Sequence, residues 1–369
     1  MVVNIEEEGI IFTALPADKL PAYTNQWAEQ QFGAEHAADI ADILTTYTKY
    51  NARRKPELLS PDTYSLTNYR EWETVAGDYQ ALAKKTQTLG AMLPAEYRDA
   101  WYELVAYPVL ASANLYELYY TVARNKIYAT QGRALTNELA AKADSLFKKD
   151  SLLSLTYNRD IAGGKWPHMM DQTHIGYTIW QEPRYNIPPH TDTIELANGP
   201  AWGIAVEGST NWWPAELAPA TIIVDPYDHP EHYIDIFNRR DKPFAFTIQS
   251  DVPWIRLSSA SGEIDKEKRI WIDIRWDQLP VTATKATLTL SGPEPTPVSI
   301  TVTIDRPSPQ PPPAFNGFIE TGHTVAIEAE HFSKAWPAIT WQIIPGLGRT
   351  HSAVEAQPVT IPIQTPRQQ

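Results

Sequence analysis

The sequence contains no cysteine among its 369 residues. Disulfides, thiolate nucleophiles and cysteine-based zinc sites are therefore excluded, but the compartment stays open, because such a chain suits oxidising and reducing conditions alike. The sequence also lacks any run of the ~18 apolar residues that a membrane-spanning helix needs. Near the N-terminus, the acidic run Glu6–Glu8 stands where a signal peptide carries Lys or Arg before an apolar core. We predict neither a signal peptide nor a membrane anchor.

Positive charge is also scarce. Lysine and arginine number 31 against 44 acidic residues, which gives a net charge of −13. This balance argues against nucleic acid or an anionic membrane as the main partner. With 43% hydrophobic and 20% charged residues, the chain is predicted to fold, and its length favours more than one domain. The 13 tryptophans and 18 tyrosines suit either a packed core or rings that stack on sugars.

The first half of the chain has the periodicity of helices. Apolar residues recur at spacings of three and four in four stretches, 25–52, 67–92, 95–130 and 133–148. Pro94 can start the third of these helices, whereas Pro108 is expected to kink or break it near Tyr107. We predict a helical bundle over residues 25–190, preceded by an N-terminal link over residues 1–24.

The second half alternates apolar and polar residues with a period of two. PVSITVTID (297–305) and RIWIDIRW (269–276) show this alternation most clearly, and further short strands are separated by Pro, Gly and Asp turns. Six or more such strands predict an antiparallel β-sandwich over residues 191–305.

The end of the chain is predicted to be a spacer followed by a short tail. RPSPQPPPA (306–314) has five prolines in nine residues and is typical of a semi-rigid linker. Residues 315–369 contain strand-like pieces such as TVAIEAEHF (324–332), but they are few for an independent core. The predicted fold class is thus α+β multidomain: an N-terminal helical bundle, an antiparallel β-sandwich and a short, truncated β-rich tail, the start of an incomplete C-terminal β domain.

Polar and aromatic side chains are concentrated in GKWPHMMDQTHIGYTIW (164–180), near the end of the predicted bundle. A metal site is one reading, but on a helix the spacing of His168, Asp171 and His174 would spread their side chains over about 120°. On a strand, Asp171 would point away from both histidines. Three other interpretations stay open. The segment could carry general acid–base chemistry, or it could recognise a ligand through its polar side chains and by stacking on Trp166 and Trp180. It could also be an interface between domains in which these groups hydrogen-bond to one another.

Several stretches resemble one enzyme family. They are GKWPHMMDQTHIGYTIWQEP (164–183), YTKYNARRKPELL (47–59), LVAYPVLASANLYELYY (104–120), YNRD (157–160) and FIETGHTVAIEAEHF (318–332). Together and in this order they resemble the family-115 glycoside hydrolases, the xylan α-1,2-glucuronidases. Within the sandwich, PWIRLSSASGEI (253–264) is similar to a motif of carbohydrate-associated sandwich modules.

The resemblance implies a function for a longer assembly than this chain. Members of the family remove glucuronic acid or its 4-O-methyl form from xylan with inversion, which needs an acid and a base on opposite sides of the sugar. In the family, both come mainly from a (β/α)-barrel that precedes the helical domain, and no such barrel is found in this sequence. We therefore expect a non-catalytic C-terminal portion, short at both ends, that contributes a pocket wall and domain packing and is inactive alone.

No catalytic residue, metal ligand or cofactor site can be carried over from the family. The resemblance implies substrate-binding candidates within a signature segment, residues 157–183: Arg159, Lys165, Trp166, His168, Met169, Met170, Asp171, Gln172, His174 and Tyr177. The implied partners are glucuronoxylan or its oligosaccharides, the missing barrel domain and a second copy of the chain, without nucleic acid or membrane. The family suggests a secreted or periplasmic location. The alternatives are a stand-alone carbohydrate-binding protein for acidic xylan and, more remotely, a metal-dependent hydrolase.

Overall fold

The computed structural model describes residues 2–6, 9–13, 19–177, 184–227, 231–306, 312, 314–321, 324–332, 339–347, 351–358 and 360. A hairpin of β1 (Val2–Glu6) and β2 (Gly9–Thr13) lies in the predicted N-terminal link. Helices follow it, and two five-stranded β-sheets come after the helices, which confirms the α+β prediction. None of the helices in the described ranges has the length and apolar character to cross a membrane.

The helical part contains six α-helices in chain order: α1 (Leu20–Phe32), α2 (Ala37–Asn51), α3 (Glu71–Gly90), α4 (Arg98–Trp101), α5 (Tyr107–Gln131) and α6 (Thr136–Leu155). The prediction of a single helix over residues 25–52 is wrong. The chain breaks at Gly33, whose φ of 82° lies in a region that L-residues rarely adopt. Helix α3 begins later than predicted because Tyr69 and Arg70 have φ values of 56° and 49°, which a right-handed helix cannot contain.

Pro108 does not end the third predicted helix. A π-helical turn, Tyr102–Ala106, joins α4 directly to α5, so a helical path runs from Arg98 to Gln131. Proline lacks an N–H and its ring clashes with the carbonyl four residues earlier, which here is that of Leu104. The widened turn lies where this clash would arise, so the predicted kink near Tyr107 takes the form of a local change in helical period.

Aromatic rings fill the centre of the bundle. Trp72 and Tyr79 of α3 and Tyr116 of α5 are completely buried. The rings of Tyr79 and Tyr116 stack with centroids 4.2 Å apart, and Tyr64 meets Trp72 edge-on at 5.0 Å. From the sequence alone, the aromatic residues could have served either in the core or in stacking on sugars. Many of them are core residues.

The strands form a sandwich of two five-stranded sheets. One sheet has the order β4-β3-β6-β10-β8 and the other β5-β12-β11-β7-β9. The strands are β3 (Trp202–Val206), β4 (Trp212–Trp213), β5 (Ala220–Val224), β6 (His232–Asn238), β7 (Phe244–Ser250), β8 (Ile255–Leu257), β9 (Ser261–Ile264), β10 (Glu267–Ile274), β11 (Lys285–Ser291) and β12 (Val298–Ile304). The predicted alternation is confirmed in β12, where Val298, Ile300, Val302 and Ile304 are buried.

Two details of the β-structure differ from the prediction. The sandwich is not wholly antiparallel, because β5 and β12 pair in parallel with Ala220 opposite Ile300. A parallel pair needs a long crossover connection, and here the intervening chain builds most of the other strands. Residues 324–332 form no strand but a short 3₁₀ turn, Ala329–His331, and Val325 is 51% exposed. The described tail strands are β13 (Thr340–Ile344) and β14 (Ala353–Gln357), which pair as a hairpin.

A partly buried network of charges joins the bundle to the sandwich. We call it the seam network; its members are Glu73, Arg124, Arg133, Asp235, Glu267 and Arg269. Arg133, only 3% exposed, contacts Glu267 at 3.1 Å and Asp235 at 3.6 Å. Arg269 lies 2.8 Å from Asp235 and 2.6 Å from Glu73. The three cations and three anions balance, which is the condition for burying such groups without a large desolvation cost.

Aromatic rings enclose this network. The Arg133 guanidinium lies 4.1 Å from the ring centroid of Tyr128 and 4.2 Å from that of Phe237. The Arg269 guanidinium lies 3.7 Å from the ring centroid of Tyr233. Burial opposes the charge on Arg269, but its hydrogen bonds to Asp235 outweigh this effect and raise its pKa. The seam therefore combines ion pairing with cation–π packing.

Arg133→Ala tests the seam network, because it leaves Glu267 and Asp235 buried with less compensation. We expect it to lower the free energy of unfolding by roughly 3–5 kcal/mol, measured by urea denaturation. Arg256→Ala, at an exposed position of the same sandwich, should change it by less than about 0.5 kcal/mol. Equal effects of the two substitutions would show that the network does not stabilise the fold.

Candidate functional site

The signature segment is irregular throughout the residues that the structure describes, 157–177. It leaves α6 through a π-helical turn, Thr156–Asp160, and continues into a short turn in which Ala162 has a φ of 48°. His168 also has a positive φ, 65°. Such backbone conformations are costly for residues other than glycine and are concentrated at functional sites. Beyond these short helical turns, residues 165–177 are neither helix nor strand, and Trp180 lies outside the described residues.

His168 is held outward by a chain of side-chain hydrogen bonds. Asn158 in the π-helical turn donates from Nδ2 to Asp171 Oδ1 at 2.6 Å and accepts from the Met170 N–H at 2.8 Å. The other Asp171 oxygen lies 2.6 Å from His168 Nδ1. The His168 side chain is 86% exposed, so the imidazole is oriented by the protein while its ring faces solvent. This arrangement suits contact with an external ligand.

Lys165 and Trp166 form a second exposed pair. The Lys165 ammonium lies 4.4 Å from the Trp166 ring centroid, and Trp166 Nε1 donates to Glu103 Oε2 at 3.2 Å. Glu103 belongs to the π-helical turn between α4 and α5. The indole is thus fixed in position next to a cation.

His174 is tied back to the bundle rather than to His168. Its Nε2 lies 2.9 Å from Asp150 Oδ1, and its Nδ1 lies 2.9 Å from the Gln172 carbonyl oxygen. Both partners are acceptors, so the geometry favours an imidazole with both nitrogens protonated. Burial alone would lower the pKa of His174, but the hydrogen bond and charge of Asp150 outweigh it, and the pKa is raised from its ordinary value of 6.5.

Five of the predicted residues line one cavity. This signature cavity has a volume of about 380 Å³, and its lining consists of Glu57, Tyr107, Met169, Met170, Gln172, Thr173, His174 and Tyr177. Burial raises the pKa of Tyr107, and the charge of Asp150 adds to this effect. The phenol therefore stays protonated at neutral pH and can donate a hydrogen bond.

The other five predicted residues lie outside the cavity lining. Arg159, Lys165, His168 and Asp171 are exposed, and Trp166 is half-buried. Sequence reasoning missed Glu57 and Tyr107 as cavity residues. Both residues lie in stretches that resemble the enzyme family. The family resemblance could therefore have indicated them as site residues.

The structure does not assemble the metal site that His168, Asp171 and His174 could have formed. His168 pairs with Asp171, whereas His174 pairs with Asp150. Within the ranges that the structure describes, no three histidine or acidic side chains converge so that they could hold a metal ion.

The His174–Asp150 pair predicts how the segment responds to pH. Because the folded-state pKa of His174 is raised, its stabilisation is fully present below the ordinary value of 6.5 and is lost as pH rises through the raised value. We expect amide exchange in residues 165–177, corrected for intrinsic rates, to accelerate across that range. His174→Gln should flatten this profile, and His190→Gln, at an exposed site, should not. A profile that is the same in the wild type and His174→Gln would contradict the assignment.

Comparison with known proteins found two matches to models of family 115, one before this segment and one after it. Residues 10–58 match the family model described as glycosyl hydrolase family 115, and residues 317–369 match the glycosyl hydrolase family 115 C-terminal domain. The signature segment lies between the two matched ranges. No curated protein matches the chain significantly.

Two solved structures resemble the chain at low identity. BtGH115A, described as a family GH115 4-O-methyl-α-glucuronidase with specificity for decorated arabinogalactans, is 15% identical; the match covers 76% of this chain and 41% of that chain, with a TM-score of 0.35. A Bacteroides ovatus GH5 xyloglucanase, solved with a XXXG heptasaccharide, is also 15% identical; the match covers 28% of this chain and 19% of that one, with a TM-score of 0.19. The chain thus spans about two fifths of the length of BtGH115A.

The family matches confirm the resemblance that the sequence motifs predicted. They cover only part of the chain, 10–58 and 317–369, and they do so at two places far apart in the sequence. In these two regions, the chain is therefore similar to the glycoside hydrolases of family 115.

Proposed function

We propose that this chain is the substrate-recognition and packing portion of a glycoside hydrolase that removes (4-O-methyl)glucuronic acid side chains from glucuronoxylan. The observation that carries the proposal is the pair of family-115 matches on either side of the signature segment. In this proposal, a bundle over residues 25–190, a sandwich over 191–305 and a C-terminal β domain from residue 315 form the non-catalytic body. Their packing against a catalytic barrel would complete the enzyme.

The geometry of the signature segment favours binding over catalysis. Residues 157–177 contain two carboxylates, Asp160 and Asp171. Asp171 is engaged by Asn158 and His168, so it serves to orient the imidazole. Inverting hydrolysis needs two carboxyl groups on opposite faces of the sugar, about 6.5–9.5 Å apart. We therefore place the acid and base in a barrel domain, on another chain or in a longer protein that contains this sequence.

The exposed cations of the segment suit an acidic sugar. Lys165 and Arg159 are exposed cations, and His168 adds an oriented imidazole whose Nε2 donates a hydrogen bond when the ring is protonated. A carboxylate that accepts hydrogen bonds from such groups forms charge-assisted contacts, which are stronger than neutral ones. The half-buried Trp166 offers an apolar ring next to Lys165 for the sugar itself. A uronate is the ligand that uses both features.

Binding of a uronic-acid oligosaccharide tests this proposal. We expect xylotriose that carries 4-O-methylglucuronic acid to bind the purified chain in isothermal titration calorimetry. Lys165→Ala and His168→Ala should each weaken binding about threefold to tenfold, because each removes one group that can form a hydrogen bond to the acidic sugar. His190→Ala, which replaces another exposed histidine, should leave it unchanged. Equal affinity in all four proteins would overturn the proposed site.

The chain alone should not catalyse hydrolysis. We expect the purified protein to release no glucuronic acid from glucuronoxylan, because the opposed acid and base are assigned to the barrel. Release of free uronic acid can be followed by anion-exchange chromatography, with a complete glucuronidase as the positive control. Steady release that His168→Ala abolishes would instead place catalysis in this chain.

A further inference from the structure

A second cavity lies where the bundle meets the sandwich. Its volume is about 810 Å³, against about 380 Å³ for the signature cavity. The side chains that matter for its chemistry are Asp62, Tyr64, Lys126, Asn211, Trp212 and Glu216. We propose that this seam cleft binds a neutral oligosaccharide, the unsubstituted backbone of the glycan. The inference rests on the proposed function in taking a glycan as the ligand, but it assigns a different site and a different part of that ligand.

Hydrogen bonds across the seam hold the cleft open in one shape. The Gly208 N–H donates to the Thr67 carbonyl at 3.0 Å, and Gln131 Nε2 donates to the Thr210 carbonyl at 2.9 Å. Arg239 donates from Nε to the Gln131 carbonyl at 3.0 Å. These bonds connect the walls contributed by the bundle and the sandwich. A cleft that is already formed loses little entropy when it binds a ligand.

The lining combines an aromatic ring with hydrogen-bonding groups. Trp212 is half-buried, and the Arg239 guanidinium lies 3.8 Å from its ring centroid. Asn211 Nδ2 donates to Glu216 Oε2 at 2.8 Å, which fixes both side chains at the cleft. Sugars present apolar C–H faces to rings and hydroxyls to carboxylates and amides, so this lining suits a polyhydroxylated ligand.

The charge of the lining argues against anionic ligands. Two carboxylates, Asp62 and Glu216, face one ammonium group, Lys126. These lining groups therefore offer uronates, phosphates and nucleotides no excess of positive charge. In the signature segment, by contrast, Arg159 and Lys165 are both exposed.

An extended peptide fits the cleft less well than a glycan. Strand β4, which contains Trp212, is at the edge of its sheet, where a peptide could add a strand. However, the Trp212 carbonyl already accepts a hydrogen bond from Glu216 N at 3.0 Å, and Pro214 has no N–H to donate. The edge therefore offers little backbone pairing to an incoming strand.

Titration with xylohexaose, which carries no uronic acid, tests the assignment. We expect it to bind the purified chain and to quench tryptophan fluorescence. Trp212→Ala should weaken binding about tenfold, because the ring contact with the sugar is lost. Asp62→Ala, at an exposed position, should weaken binding about threefold, because one hydrogen-bond acceptor is lost. Trp341→Ala removes a tryptophan from the C-terminal hairpin and serves as the matched control. Circular dichroism of each variant checks that the fold is kept.

The outcomes separate this inference from the proposed function. Xylohexaose binding that falls in Trp212→Ala and Asp62→Ala but not in Lys165→Ala or His168→Ala supports the seam cleft. No binding of xylohexaose, or binding that is unchanged in Asp62→Ala and folded Trp212→Ala, overturns it. If only the uronic-acid oligosaccharide binds, and only the signature variants weaken it, the seam-cleft inference fails while the proposed function stands. If xylohexaose binds at Trp212 but the signature variants leave uronate binding unchanged, the seam-cleft inference stands and the proposed signature site fails.

Discussion

The pairing of buried Arg133 and its neighbouring arginines with carboxylates between bundle and sandwich is the constraint on which the rest of the structure depends. Arg133 comes from the connection between α5 and α6, whereas Asp235 and Glu267 come from neighbouring strands of one sheet. A charge that is 97% buried cannot be left without a partner. The two parts of the chain must therefore pack in one fixed arrangement. This arrangement also sets the shape of the seam cleft, which lies beside the contact.

The same logic of oriented polar groups applies to the signature segment at smaller scale. Buried Asp150 holds His174 from below, while Asn158 and Asp171 direct His168 outward. One histidine anchors the irregular chain to α6, and the other is presented to solvent. The two histidines of one motif thus have different roles, because the carboxylates that they contact differ in burial: the Asp150 side chain is 4% exposed and that of Asp171 53%.

Local periodicity in the sequence was sufficient to predict the helical first half and the β-sandwich that follows it, because most of their elements bury one regular apolar face. It could not predict the features that depend on distant partners. Tyr69 and Arg70 have left-handed backbone conformations, although neither position carries the glycine that would have indicated this in the sequence. Arg70 forms an ion pair with Glu231, which lies in the sandwich. The parallel pairing of Ala220 with Ile300 likewise links residues far apart in the chain.

The candidate site shows the same division. Its residue types were visible in the sequence because histidine, tryptophan and methionine are rarely so concentrated. The pairing of His174 with Asp150 was not visible, because it crosses from the segment to a preceding helix. Glu57 and Tyr107 reach the signature cavity from two other parts of the bundle. Composition therefore indicated the candidate segment, and tertiary packing decided which of its side chains share a cavity.

The most direct test of the account is whether the outward imidazole of His168 meets the acidic sugar. Imidazole resonances of protein labelled with ¹⁵N-histidine can be followed by NMR while xylotriose bearing 4-O-methylglucuronic acid is added. The account predicts a saturable shift of the His168 signals, with the exposed His190 signals unchanged. Saturable binding that leaves His168 unperturbed would contradict the account, because the ligand would then be recognised elsewhere on the molecule.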